Sequence, residues 1–258
     1  MILTNDFVFI HQPKTGGTFV TEVLARLYEP VRERGMVNRW LRSLRPGGKK
    51  RMRNVLKHGT CNEIPIGYRH KPILGTVRNP YDRYVSQYEF GWWKEFPESF
   101  CSKAELAARF PRYPDLTFEE FIDLCNSPHL QSRTTRESPR ASPGRQTRQF
   151  VNYFFMNPDR VLPKIDEDYV AARKYETDMF PVHFLHTDRL NPELHAFLLG
   201  LGFDRGDIDF ILATGKIFPP EGGRGDDKPW QKYYTPELKR KVRIKEQLLF
   251  ALFPEMDV

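Results

Sequence analysis

Asp6-Phe7-Val8-Phe9-Ile10-His11-Gln12-Pro13-Lys14-Thr15-Gly16-Gly17-Thr18 is the stretch that decides the fold of this 258-residue chain. Residues 6–11 are a short apolar, β-branched and aromatic run, the pattern of a strand buried in a parallel sheet. Pro13 and the two glycines break it. From Thr18 the apolar positions Phe19, Val20, Val23, Leu24 and Leu27 recur at helical spacing, so the unit reads strand, glycine turn, helix. Such a turn aims backbone N–H groups and the positive end of the helix dipole at one point, which favours a bound phosphate. Lys14 adds charge there, and Thr15 and Thr18 add hydroxyl donors. A Walker loop carries its lysine after the glycines. Here the lysine comes first, so Lys14 is expected beside a leaving-group oxygen rather than wrapped round a triphosphate. A plain Gly-Gly turn with a surface lysine is the competing explanation.

Outward from this unit, residues 54–58 and 73–77 are further strand candidates. The second ends at Arg78-Asn79-Pro80 and leads into a helix through Tyr84, Tyr88 and the Trp92-Trp93 pair. Thr117-Phe118-Glu119-Glu120 is a capping box opening a helix through Phe121 and Leu124. Residues 182–185 suit a strand, residues 192–201 a helix ending at Gly202, and Thr235-Pro236 opens the last helix. Strands interleaved with helices over the whole length predict an α/β fold, a single domain over 1–258 with a mostly parallel central sheet flanked by helices. Residues 128–143 and 219–229, dense in Pro, Gly, Ser and charged residues, are expected to be mobile surface loops of the kind that serve as lids.

Hydrophobic residues make up 40% and charged residues 28% of the chain, ordinary globular usage that excludes a disordered class. No apolar run is long enough for a membrane span, and the first residues lack the pattern of a secretion signal, so a cytoplasmic protein without membrane contact is expected. Cys61, Cys101 and Cys125 are odd in number and scattered, which argues against a disulfide framework or a metal site. The net charge of +7 is local: residues 32–57 hold ten Lys or Arg against one acidic residue, and residues 133–148 five against one. Such patches concentrate anionic ligands, or are simply solvated surface.

The segment Phe9-Ile10-His11-Gln12-Pro13-Lys14-Thr15-Gly16-Gly17-Thr18 resembles the 5'-phosphosulfate loop of sulfotransferases that use 3'-phosphoadenosine 5'-phosphosulfate (PAPS). The likeness is closest to the branch with the heparan sulfate 2-O-sulfotransferases and related bacterial enzymes. Val77-Arg78-Asn79-Pro80-Tyr81-Asp82-Arg83-Tyr84-Val85-Ser86-Gln87-Tyr88 is similar to that family's 3'-phosphate motif, an arginine at a strand end followed eight residues later by a serine. Weaker likeness extends to Gln146-Thr147-Arg148, residues 183–190 and Tyr233-Tyr234-Thr235-Pro236-Glu237-Leu238. The resemblance implies a P-loop-like sulfotransferase fold and sulfuryl transfer from PAPS to an acceptor hydroxyl or amine, leaving adenosine 3',5'-bisphosphate (PAP).

It also implies roles. Lys14, Thr15, Gly16, Gly17 and Thr18 would hold the 5' end, with Lys14 on the bridging oxygen as the S–O bond breaks. Arg78 suits the 3'-phosphate, because its planar guanidinium makes two parallel charge-assisted bonds, and Ser86 would complete that site. Lys228 is expected near the phosphates, and Trp230 on adenine or packed to anchor its loop. The acceptor proton needs a base. His58 is the candidate, read as closing a strand over residues 54–57 and resembling a family His-Gly-His segment, although Thr60 occupies the third position; His11, His70 and Glu63 are the alternatives. The partner is a small-molecule or glycan acceptor. Two rivals remain open at this level. A P-loop-like small-molecule kinase using ATP would need a Walker lysine and an acidic magnesium ligand, and a basic nucleic-acid-binding module would need aromatics among the basic residues of 32–57, which hold only Trp40.

Overall fold

The computed structural model describes residues 1–30, 50–97, 100, 102–127, 143–217, 224 and 228–258. The loops expected at 128–143 and 219–229 therefore lie outside the described residues, except for Pro143, Arg224, Lys228 and Pro229, as does most of the basic stretch 32–57. The chain divides into two compact units, Met1–Val77 with Pro181–Phe218, and Arg78–Phe180 with Pro219–Val258. The strands are β1 (Ile2–Thr4), β2 (Val8–Ile10), β3 (Glu29–Pro30), β4 (Arg51–Asn54), β5 (Ile73–Val77) and β6 (Val182–His186). Among the helices, α1 is Gly17–Leu27, α2 Pro80–Phe90, α3 Lys103–Arg109, α4 Phe118–Cys125, α5 Arg145–Phe154, α6 Leu190–Gly200, α7 Pro236–Lys245 and α8 Gln247–Leu252.

The first unit holds a six-stranded sheet in the order β3-β4-β1-β2-β5-β6. β2, β5 and β6 are parallel neighbours and β3 is parallel to β4, while β1 runs antiparallel to both β2 and β4. The sheet is thus mixed, and parallel in most of its pairings, as the alternation of strands and helices predicts. Pairing Ile2 with Phe9, and Phe9 with Leu74, sets those side chains on one face. There they pack with Phe19, Val20, Val23 and Leu24 of α1 and Leu190, Leu194 and Leu198 of α6 in one buried cluster. Close packing of this cluster fixes the angle at which α1 leaves the sheet.

Two expectations need correction here. The strand placed at residues 54–58 is Arg51–Asn54, and Val55 and Leu56, whose apolar side chains suggested it, are exposed in the loop that follows. His58 therefore sits on a loop rather than closing a strand. Strand β4 forms in spite of its three polar residues because it is laddered on both sides, to β1 and to the short β3. The helix expected to run from Pro80 through Trp93 stops at Phe90, where Gly91 adopts a left-handed φ of 72° and a separate short helix, Trp92–Glu95, begins.

The second unit is helical. Thr117 caps α4 with the predicted capping box, and Thr235 caps α7, which gives way to α8 at Glu246. Glu246 is fully buried, and its carboxylate accepts from Tyr84 Oη, the Gln146 and Thr147 amides and Thr147 Oγ1 at 2.5 to 3.2 Å. A buried carboxylate thus satisfies the orphan donors opening α5. Gly144 is glycine for this reason, since a Cβ there would lie 2.0 Å from Glu246 Oε1.

Candidate active site

In the first unit, β2 ends at Ile10 and α1 begins at Gly17, so the loop between them lies at the C-terminal end of a parallel strand, the usual ligand side of such sheets. Lys14 has φ 64° and Gly16 φ 90°. A side-chain-bearing residue takes this left-handed conformation at a cost of about 1–2 kcal/mol, and the two left-handed residues turn the loop sharply just before α1. What holds the loop is a set of hydroxyls. Thr15 Oγ1 donates to Gln12 O at 2.8 Å and lies 2.7 Å from Thr76 Oγ1 of β5, and Thr187 Oγ1 donates to Thr15 O at 2.9 Å. Thr18 is half-buried in the first turn of α1.

The loop fits an anion. The first turn of α1 carries no acidic side chain. A Cβ added at Gly16 would come 2.8 Å from Leu190 Cδ2, and one at Gly17 2.2 Å from His11 Cδ2, so both positions must stay bare for the backbone to keep its shape. The Gln12 side chain is buried, and its Nε2 has no hydrogen-bond partner among the described residues. Such a donor is expected to be satisfied in a working protein.

His58 faces the same loop. Its ring meets that of His11 edge to face with centroids 5.5 Å apart, and its Nδ1 lies 3.4 Å from the His11 carbonyl oxygen. A proton on Nδ1 serves that contact and leaves the lone pair on Nε2. Partial burial pulls the His58 imidazole below its ordinary range, with the Lys57 ammonium adding to this and the His11 carbonyl opposing it. Burial, with His58 beside it, brings His11 down to about 4. Both imidazoles are neutral at pH 7. Of the alternatives, His70 is exposed, and Glu63 accepts from the Thr60 amide as part of a capping box.

In the second unit, Arg78 precedes α2 and its Nε donates to Asp82 Oδ2 at 2.5 Å, while Arg224 pairs with the other oxygen of the same carboxylate. Burial raises Asp82, but the two guanidiniums outweigh it and hold the carboxyl below its usual range. One Arg224 nitrogen, Nη1, is buried with no hydrogen-bond partner among the described residues. Arg224 escaped the sequence reading because the surrounding Gly-rich and Asp-rich residues read as a loop. Ser86 is buried on α2 two turns beyond Arg78, and Lys228 pairs with Glu89 of the same helix. Trp230 stacks on Tyr81 with centroids 5.2 Å apart at 17°, the packing role rather than an open face. The remaining aromatics divide: Trp93 is buried, while Trp92 stacks on Phe96 with both exposed.

A model of the sulfotransferase family matches residues 2–159, and the chain belongs to that family. Membership makes it an enzyme of sulfuryl transfer. Among solved structures, mouse sulfotransferase SULT7A1 complexed with PAP is similar at 16% sequence identity and a TM-score of 0.45, over 95% of this chain and 83% of that one. No curated protein matches the chain. Among the described residues no helix is long and apolar enough to cross a membrane.

Proposed function

We propose that the chain, acting as one sulfotransferase domain, transfers the sulfuryl group of PAPS to a hydroxyl or amine of a small-molecule or glycan acceptor, leaving PAP, with Lys14 steadying the leaving group and His58 as base. The observation that carries this is the stretch of residues 11–17: Lys14 and Gly16 left-handed, Gly16 and Gly17 with no room for a Cβ, and a lysine just before a helix free of acidic side chains in its first turn. PAPS supplies an activated sulfuryl group on a bisphosphorylated adenosine. The chain's part is to bind, orient and move one proton. Lys14, Thr15, Gly16, Gly17 and Thr18 hold the 5' end, and the Lys14 ammonium offsets the charge that grows on the bridging oxygen. Arg78, with Arg224 on the shared Asp82, supplies charge for the 3'-phosphate, Ser86 adds a hydroxyl, and Lys228 lies further along α2 at Glu89. Neutral His58 takes the acceptor proton at Nε2. The buried, unpaired Cys61 and Cys125 suit work in the cytoplasm.

Incubation with PAPS and a panel of acceptors, read by mass for sulfate addition, tests the assignment. Turnover should fall sharply in Lys14→Ala and His58→Ala. Full turnover in His58→Ala removes the base but leaves the donor site, whereas a larger melting shift with Mg-ATP than with PAP defeats the donor assignment itself.

A further inference from the structure

Thr187 opens the short turn Thr187–Arg189 between β6 and α6, outside both motifs that carry the donor reading. Its Oγ1 lies 2.9 Å from the Thr15 carbonyl oxygen and 2.8 Å from that of Val77, so one half-buried hydroxyl serves two carbonyls. The first belongs to the phosphate loop, and the second to the peptide that leads into Arg78. In a planar trans peptide the C=O and the following N–H point in opposite directions. Drawing these two carbonyls onto Thr187 therefore turns the N–H groups of Gly16 and Arg78 away from it. Thr187 and the first residue of α6 also back the loop sterically: Leu190 Cδ2 lies 2.8 Å, and Thr187 Cγ2 3.6 Å, from where a Gly16 Cβ would stand.

We propose that Thr187 is a positioning residue for sulfuryl transfer, whose hydroxyl sets the two peptides entering Gly16 and Arg78, the segments assigned to the 5' and 3' ends of the donor. This rests on the donor assignment above. Thr187 acts through those peptides and touches no reacting atom. Valine keeps the shape of threonine and removes the hydroxyl, which leaves both carbonyls without this donor. Serine keeps the hydroxyl and removes only the methyl.

The test compares PAP binding by calorimetry, and steady-state rates with PAPS, for the natural chain, Thr187→Val and Thr187→Ser. Thr187→Val should weaken PAP binding roughly tenfold and lower kcat roughly tenfold, with the acceptor KM moving less than about twofold. Thr187→Ser should stay within about threefold of the natural chain in both. Where the valine chain does not fold, Thr187→Ala replaces it in the same comparison. A valine or alanine chain that binds PAP as tightly as the natural one overturns the inference, and so does a serine chain that falls as far as the valine chain. A natural chain that binds no PAP is a different result and sinks the donor assignment first.

Discussion

Lys14 takes a left-handed backbone conformation, φ 64°, and its ammonium is the positive charge nearest in sequence to the N-terminus of α1. Removing it in Lys14→Ala should cut kcat by about 10²- to 10³-fold, the scale of a lost donor at a developing charge, with a smaller change in PAP affinity measured by calorimetry. Gly17 makes a second point at this scale. Its backbone is ordinary helix, so alanine there would normally be welcome, yet the added Cβ would enter the His11 ring. Gly17→Ala should therefore weaken PAP binding, and pairing it with His11→Ala should restore much of the loss. The imidazoles also set a pH response. Folded His11 binds its proton near pH 4, against about 6.5 for the unfolded chain, so as pH falls through that window the unfolded state gains protons that the folded state refuses. Stability is whole above about 6.5, declines between there and about 4, and levels off below. Thermal melts across that range should fall less steeply for His11→Gln. Because His58 titrates below its ordinary value, kcat/KM should stay flat through neutral pH and drop only on the acid side, a limb absent from His58→Ala.

At the scale of the element, the second unit offers the sharpest case in the junction of α7 and α8. Glu246 closes the start of α5 and binds Tyr84 of α2, so Glu246→Ala would strand several buried donors at once. A loss of about 3–5 kcal/mol, read by denaturant unfolding, is expected, with Glu246→Gln losing less because its carbonyl still accepts. What was legible in the residues follows from how locally each element is determined. β5 and α1 were plain because five buried residues and a 3.6-residue apolar stripe declare themselves, and the caps at Thr117 and Thr235 are local chemistry. β1 was invisible, since three residues, Ile2, Leu3 and Thr4, are too few to show a periodicity. β4 was displaced because its polar residues are strand only by virtue of their ladders, Arg53 and Asn54 to β1 and Arg51 to β3. In the candidate site, the loop and Arg78 announced themselves through spacing, whereas Arg224 and Thr187 are defined by distant partners, Asp82 and the carbonyls of Thr15 and Val77, that no linear pattern brings together.

For the whole molecule, a net charge of +7 facing a polyanionic donor predicts association that slows with salt. Stopped-flow binding of PAP should show an association rate falling several-fold between about 50 and 500 mM salt, with a smaller change in dissociation. Connectivity carries a further consequence. β5 pairs along its full length with β6, which arrives roughly a hundred residues later, after the whole run from Arg78 to Phe180 has intervened. During synthesis the open edge of β5 must wait for that late partner, with Ile73, Leu74 and Val77 uncovered meanwhile. A nascent chain halted before residue 182 should accordingly be sticky and in need of chaperones, and release of the β6 segment from the ribosome should be the moment at which it becomes protease-resistant.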